Sequence, residues 1–174
     1  RAGVADAVMI AMDCSTCSRA REKPIPGHPN PPRPLRNKQH PEGLPDLQGK
    51  DYRRVQEANV LIHRSVEYAS IVAENGGAGV LENPRNSWFW AVPRVAELDP
   101  DKGWEDYEYG GCCLEGARAK LQTLRSNVKG VGSVRSTCKH MHDPKEWESR
   151  RQDGGWWHPT REEQEFTAML AFHI

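Results

Sequence analysis

Apolar and polar positions along this chain fall into blocks that read as a strand, a helix and a second strand. Residues 5–12 form a short apolar run that stops at Asp13-Cys14-Ser15-Thr16. That is the pattern of a buried parallel strand delivering polar residues at its carboxyl end. Residues 51–74 carry Val55, Ala58, Ile62, Val66, Ala69 and Val72 at three- and four-residue steps, which predicts an amphipathic helix. Asn75-Gly76-Gly77 predicts its end. Gly79-Val80-Leu81 then reads as a second buried strand ending at Glu82-Asn83-Pro84. Strand, helix, strand in this order implies a parallel crossover. Cys14 and Glu82 then share the sheet edge where open α/β sheets bind ligands.

The rest of the chain is less periodic. Eight of the 13 prolines lie between positions 24 and 45, so residues 22–50 are expected to form a long Pro-rich loop rather than helix or central strand. A loop of that length suggests a lid. Residues 86–98 predict a short helix bearing Trp88, Phe89 and Trp90, and residues 104–124 two strands around the breaks at Gly110-Gly111 and Gly116. Residues 125–160 show weak periodicity, and residues 160–172 predict a terminal helix with Thr160 as N-cap and Glu163 completing a capping box. The expectation is an α/β region over residues 1–125, followed by an irregular basic segment and a helix over residues 126–174.

Composition narrows the class. The length of 174 residues suits roughly one domain. No apolar run approaches the roughly 20 residues that span a bilayer, so no membrane partner is expected. Five cysteines without a secretory signal read as reduced thiols in an intracellular setting, cytoplasmic or nuclear. The net charge is zero, but its distribution is uneven. Residues 19–54 hold nine Lys/Arg against four Asp/Glu and residues 118–151 nine against three, whereas residues 82–115 hold three against eight. Two basic segments flanking an acidic one can follow a phosphate backbone or form solvated surface.

Cys14 at a strand end, near Arg19 and Arg21, is a candidate nucleophile. Glu82, at the end of an apolar strand, is a carboxyl whose surroundings favour the protonated form at neutral pH. Read together, these segments resemble the cytosine-carbon-5 methyltransferase family. Met12-Asp13-Cys14-Ser15-Thr16-Cys17-Ser18-Arg19-Ala20-Arg21 looks like its Pro-Cys motif, Leu81-Glu82-Asn83-Pro84 its Glu-Asn-Val motif, and Gly116-Ala117-Arg118-Ala119-Lys120 its later Gln-x-Arg-x-Arg strand. The order matches over roughly residues 5–125. Asp13 stands where the motif has Pro, Pro84 where it has Val and Lys120 where it has the second Arg.

The resemblance implies a partial Rossmann-like methyltransferase sheet acting on nucleic acid, DNA before RNA. It implies Cys14 as the nucleophile at ring carbon 6, Glu82 on ring nitrogen 3, Asn83 fixing the local turn, and Arg118 on the ring carbonyl or a phosphate. Ser18, Arg19, Arg21 and Lys120 would contact substrate, with the Pro-rich loop closing over a flipped base. The methyl donor would be S-adenosyl-methionine. Its Gly-rich turn should precede Cys14 by several strands, and only 13 residues do so, which leads to the expectation of an inactive fragment lacking the donor half. The alternatives are a non-catalytic nucleic-acid-binding remnant or a small zinc-dependent module. The latter would use Cys138-Lys139-His140-Met141-His142 with Cys112-Cys113 upstream, although that spacing is not the usual one for a zinc knuckle. On the sequence alone, no metal ligand is assigned.

Overall fold

The computed structural model describes residues 5–143 and 145–159. The expected terminal helix over residues 160–172 lies outside them.

The protein is α/β, built on a mixed four-stranded sheet with one parallel pair. β1 (Ala7–Ala11) leads through a long connection into α1 (Gly49–Glu74), which returns to β2 (Ala78–Pro84). β1 and β2 pair in parallel, from Ala7 opposite Ala78 to Ala11 opposite Glu82. β3 (Glu105–Gly110) and β4 (Leu121–Ser126) complete the sheet in the order β1-β2-β4-β3, with both remaining pairings antiparallel. The expected strand-helix-strand unit is present, and so are the two strands flanking the glycine breaks.

Sequence chemistry explains the unit. α1 buries Val55, Ile62, Val66, Ala69 and Val72, the stripe its periodicity foretold. It stops because Gly76 adopts φ +81, a left-handed conformation open to glycine. Gly76 then donates to the Ala73 carbonyl and Gly77 to that of Val72, the Schellman arrangement. β2 runs further than expected, through Glu82-Asn83-Pro84, because β4 supplies partners there: Glu82 lies opposite Leu124 and Asn83 opposite Thr123. Alternation along β2 divides the interior. Leu81 faces α1 and packs with Ile62, Val66, Phe89, Val92 and Trp104. Val80 faces the opposite side, with Tyr107, Tyr109, Leu124, Val131 and Val134.

Two regions differ from their expected character. The Pro-rich connection is anchored rather than free to swing. Leu35 and Leu47 are buried against Val55 of α1, since a Pro-rich chain can hide isolated leucines without forming an element. The region beyond residue 125 is ordered through side chains more than through periodicity. Val131 and Val134, on a 3-10 turn (Lys129–Val134), fill the second core, and a small antiparallel hairpin follows, β5 (Arg150–Gln152) with β6 (Gly155–Trp157). The aromatic segment forms a 3-10 turn (Trp88–Ala91) followed by the short α2 (Pro93–Ala96). Its rings are packing elements: Phe89 is fully buried, Trp90 donates to the Pro84 carbonyl, and Trp88 donates to Glu22.

Candidate active site

Past the end of β1 the chain turns sharply at Cys14. Asp13 closes the turn, its carboxylate accepting from the Ser15 amide at 2.9 Å and the Ser15 hydroxyl at 2.7 Å, while Cys17 N–H donates to the Cys14 carbonyl at 3.0 Å. Neighbouring elements clamp it. Asn83 Nδ2 donates to the Met12 carbonyl at 3.2 Å, and Trp88 N–H to the Cys17 carbonyl at 3.0 Å. Arg21 Nε donates to the Ser15 carbonyl at 2.8 Å. Beneath lies Arg36, almost wholly buried. Its guanidinium donates to Thr16 Oγ1 at 3.1 Å, and to Asn59 Oδ1 of α1 and the Pro41 carbonyl at 2.7 Å each. One cation from the Pro-rich connection thus joins the Cys14 turn to the helix.

Glu82 sits on the face of β2 turned away from α1. It is buried, and burial pushes its carboxyl up to about 7, against a smaller opposing pull from the Lys120 ammonium. Burial also raises the Cys14 thiol; Lys120 draws it back, while Asp13 and Glu82 push it further up. The thiol, the carboxyl and the ammonium therefore lie within electrostatic reach of one another. Tyr109 joins them, its hydroxyl held neutral chiefly by burial and then by Glu82. Several buried polar atoms here have no hydrogen-bond partner among the described residues: Glu82 Oε1, Tyr109 OH, Gln122 Oε1 and Asn83 Oδ1. Leaving such an atom unsatisfied costs about 1–3 kcal/mol. Three of them, Glu82 Oε1, Tyr109 OH and Gln122 Oε1, share the sheet face turned away from α1, whereas Asn83 faces α1.

The residues singled out in the sequence separate into two groups. Cys14, Glu82, Asn83 and Lys120 converge at the carboxyl end of β1 and β2. Ser18, Arg19 and Arg21 support the neighbouring backbone: Ser18 caps the 3-10 turn (Arg19–Glu22) by accepting from Ala20 N–H, and Arg19 pairs with Glu22 and lies over the Trp88 ring. Arg118 acts elsewhere. Its Nε donates to the Glu146 carbonyl at 3.1 Å, and its guanidinium lies 5.6 Å from the Trp157 ring and 6.0 Å from that of Trp147. It borders an open cavity of about 490 Å³ shared with Lys145, Glu146, Arg150 and Trp157, a lining that includes neither Cys14 nor Glu82.

Sequence reasoning missed Arg36, Tyr109 and Gln122. Tyr109 carried a signal, since Tyr107 and Tyr109 alternate with charged residues through β3 and so share its buried face. Gln122 depends on the β2–β4 register, and an arginine in a proline-rich stretch resembles surface. Among the described residues, no Gly-rich turn joins a strand directly to a helix ahead of the Cys14 turn. No family model, no curated protein and no solved structure matches the chain. No helix among the described residues is long and apolar enough to cross a membrane.

Proposed function

We propose that this site binds and activates a flipped cytosine ring of nucleic acid, DNA before RNA, in the manner of a cytosine-carbon-5 methyltransferase. The reading takes β1, α1 and β2 as part of a Rossmann-like methyltransferase sheet. One observation supports it above the rest: a buried glutamic acid poised to carry a proton near neutrality, with one oxygen unpartnered, beside a strand-end thiol and a lysine.

The protonated Glu82 carboxyl offers a donor and an acceptor side by side, matching ring nitrogen 3 and the exocyclic amine of cytosine. The Cys14 thiolate, favoured by the Lys120 ammonium, adds to ring carbon 6. The sulfur–carbon bond forms as the carbon 5–carbon 6 double bond gives up its π pair. That charge is carried to nitrogen 3, which takes the Glu82 proton. The adduct is neutral, Glu82 is left as carboxylate, and carbon 5 has become nucleophilic enough to exchange its hydrogen with solvent.

An oligonucleotide containing 5-azacytosine, whose electrophilic carbon 6 holds a thiol adduct without any methyl donor, tests the reading. It is expected to form a covalent complex with the chain, visible by mass spectrometry, and a cytosine oligonucleotide should show slow exchange of its carbon-5 hydrogen. Cys14→Ser should abolish both without loss of the far-ultraviolet dichroism. Exchange that survives Cys14→Ser would overturn the assignment.

A further inference from the structure

We propose that Cys112, Cys138, His140 and His142 form a structural zinc site at the end of β3, separate from the Cys14 and Glu82 centre. Two chain segments build it. β3 runs into a 3-10 turn (Gly111–Leu114) that carries Cys112. Gly116 closes this turn with its N–H on the Gly111 carbonyl at 2.8 Å, and a side chain at 116 would collide with that same carbonyl. The second segment returns alongside β3. Ser136 N–H reaches the Glu108 carbonyl at 3.4 Å, and Ser136 Oγ accepts from Gly110 N–H at 3.3 Å. Cys138, His140 and His142 follow on that strip.

The four ligand atoms converge. Cys138 Sγ lies 3.2 Å from Cys112 Sγ, 3.6 Å from His140 Nδ1 and 3.1 Å from His142 Nε2. All four atoms lie within 4.8 Å of one another. The cysteines are free thiols, and 3.2 Å is far beyond a disulfide bond of about 2.05 Å. Tetrahedral zinc with bonds of about 2.3 Å to sulfur and about 2.0–2.1 Å to nitrogen has ligand-to-ligand edges of roughly 3.3–3.8 Å. Of the distances to Cys138 Sγ, 3.6 Å matches such an edge, and 3.1 and 3.2 Å are shorter by about half an ångström, a difference that small side-chain rotations span. Thiols are weak hydrogen-bond partners, so their mutual attraction gives little reason for two thiols and two imidazoles to gather around one point. A dication does, and two thiolates that release their protons on binding leave the site neutral.

A supporting contact fixes one ligand. His142 Nδ1 lies 3.1 Å from Glu146 Oε2, which leaves Nε2 toward the cluster. Glu146 is itself held, its Oε1 accepting from Ala119 N–H at 3.2 Å. A carboxylate behind a ligand histidine sets its tautomer and strengthens it as a donor. Soft sulfur with imidazole selects zinc over magnesium or calcium, and four protein ligands describe a closed, structural site. Cys113 adjoins the cluster, its sulfur 3.5 Å from where a side-chain carbon on Gly110 would stand, and is not one of the four.

Elemental analysis of the chain purified without chelator should find one zinc per chain. Co²⁺ added to the stripped protein should give the visible bands of tetrahedral cobalt and a thiolate-to-cobalt charge-transfer band. Cys112→Ala should remove stoichiometric zinc, whereas Cys113→Ala and Cys14→Ser should retain it. Cys138→His keeps four ligands but exchanges a sulfur for a nitrogen, so cobalt should still bind with about half the charge-transfer intensity; this variant stays informative if alanine variants misfold. Glu146→Gln should weaken zinc binding by about tenfold or more. Purified protein without zinc and without a tetrahedral cobalt spectrum overturns the proposal, as does zinc retained by Cys112→Ala. None of these readouts depends on cytosine chemistry, so the two proposals stand or fall separately.

Discussion

The ends of β2 and β3 gather similar side chains in opposite ways. At the β2 end the protein itself holds every part in place: Asp13, Asn83 and Trp88 clamp the Cys14 turn, and what is left over is a set of buried polar atoms without partners. At the β3 end the groups converge on one another, thiol to thiol and thiol to imidazole, with little scaffold between them. Unsatisfied atoms on a rigid support suit a ligand that brings its own donors and acceptors. Mutual convergence of soft donors suits a cation that becomes part of the support. A cysteine near a carboxylate or histidine therefore says little until the way it is held is known.

If the β2 end is held by the protein alone, breaking its clamp should produce the largest change. Arg36→Met keeps much of the stem but strips the donors from Thr16, Asn59 and the Pro41 carbonyl. We expect a loss of about 3–5 kcal/mol in urea unfolding, because buried acceptors are left unpaired. If the β3 end holds the proposed zinc, its removal should leave the rate of Cys14 alkylation unchanged; a fall in that rate would mean the two ends are one system.

Glu82→Gln sharpens the contrast by a change of opposite sign. Between about pH 4.5 and 7 native Glu82 keeps a proton that the unfolded chain has released, so stability falls as pH rises through that window. The glutamine variant should be more stable than the parent by about 3 kcal/mol above pH 7 and no different below pH 4. Denaturation curves at pH 4 and pH 8 measure this, and an equal gain at both would show that burial of the charge is not the cause. It should also slow adduct formation with 5-azacytosine. Lys120→Met should have the smallest effect. Lys120 draws down both the Cys14 thiol and the Glu82 carboxyl, so its loss moves both upward and should slow adduct formation by about tenfold at neutral pH.

The legible parts of the sequence were those whose order is local. The α1 stripe repeats every three to four residues, its end is spelled by Asn75-Gly76-Gly77, and the apolar runs of β1 and β2 break where polar residues begin. Cys14 and Glu82 were readable for the same reason, as polar residues terminating apolar runs. Tyr109 acts on Glu82 from β3, and Gln122 of β4 lies opposite both Pro84 and Tyr109; the antiparallel register that places them is not written in any short window. The cysteine and histidine cluster was harder still. Its fourth member, Cys112, precedes Cys138 by 26 residues, and neither segment has the spacing of a zinc knuckle.

Arg36 has a consequence for motion. A flexible recognition loop ordinarily opens with a small free energy of its own, independent of the rest of the fold. Here the same guanidinium grips Thr16 of the Cys14 turn and Asn59 in the middle of α1. The turn cannot detach without surrendering a bond to the longest helix, and the helix cannot fray as far as Asn59 without releasing the turn. The backbone amide of Cys17, which donates to the Cys14 carbonyl, should therefore exchange with heavy water on the timescale of the helix interior.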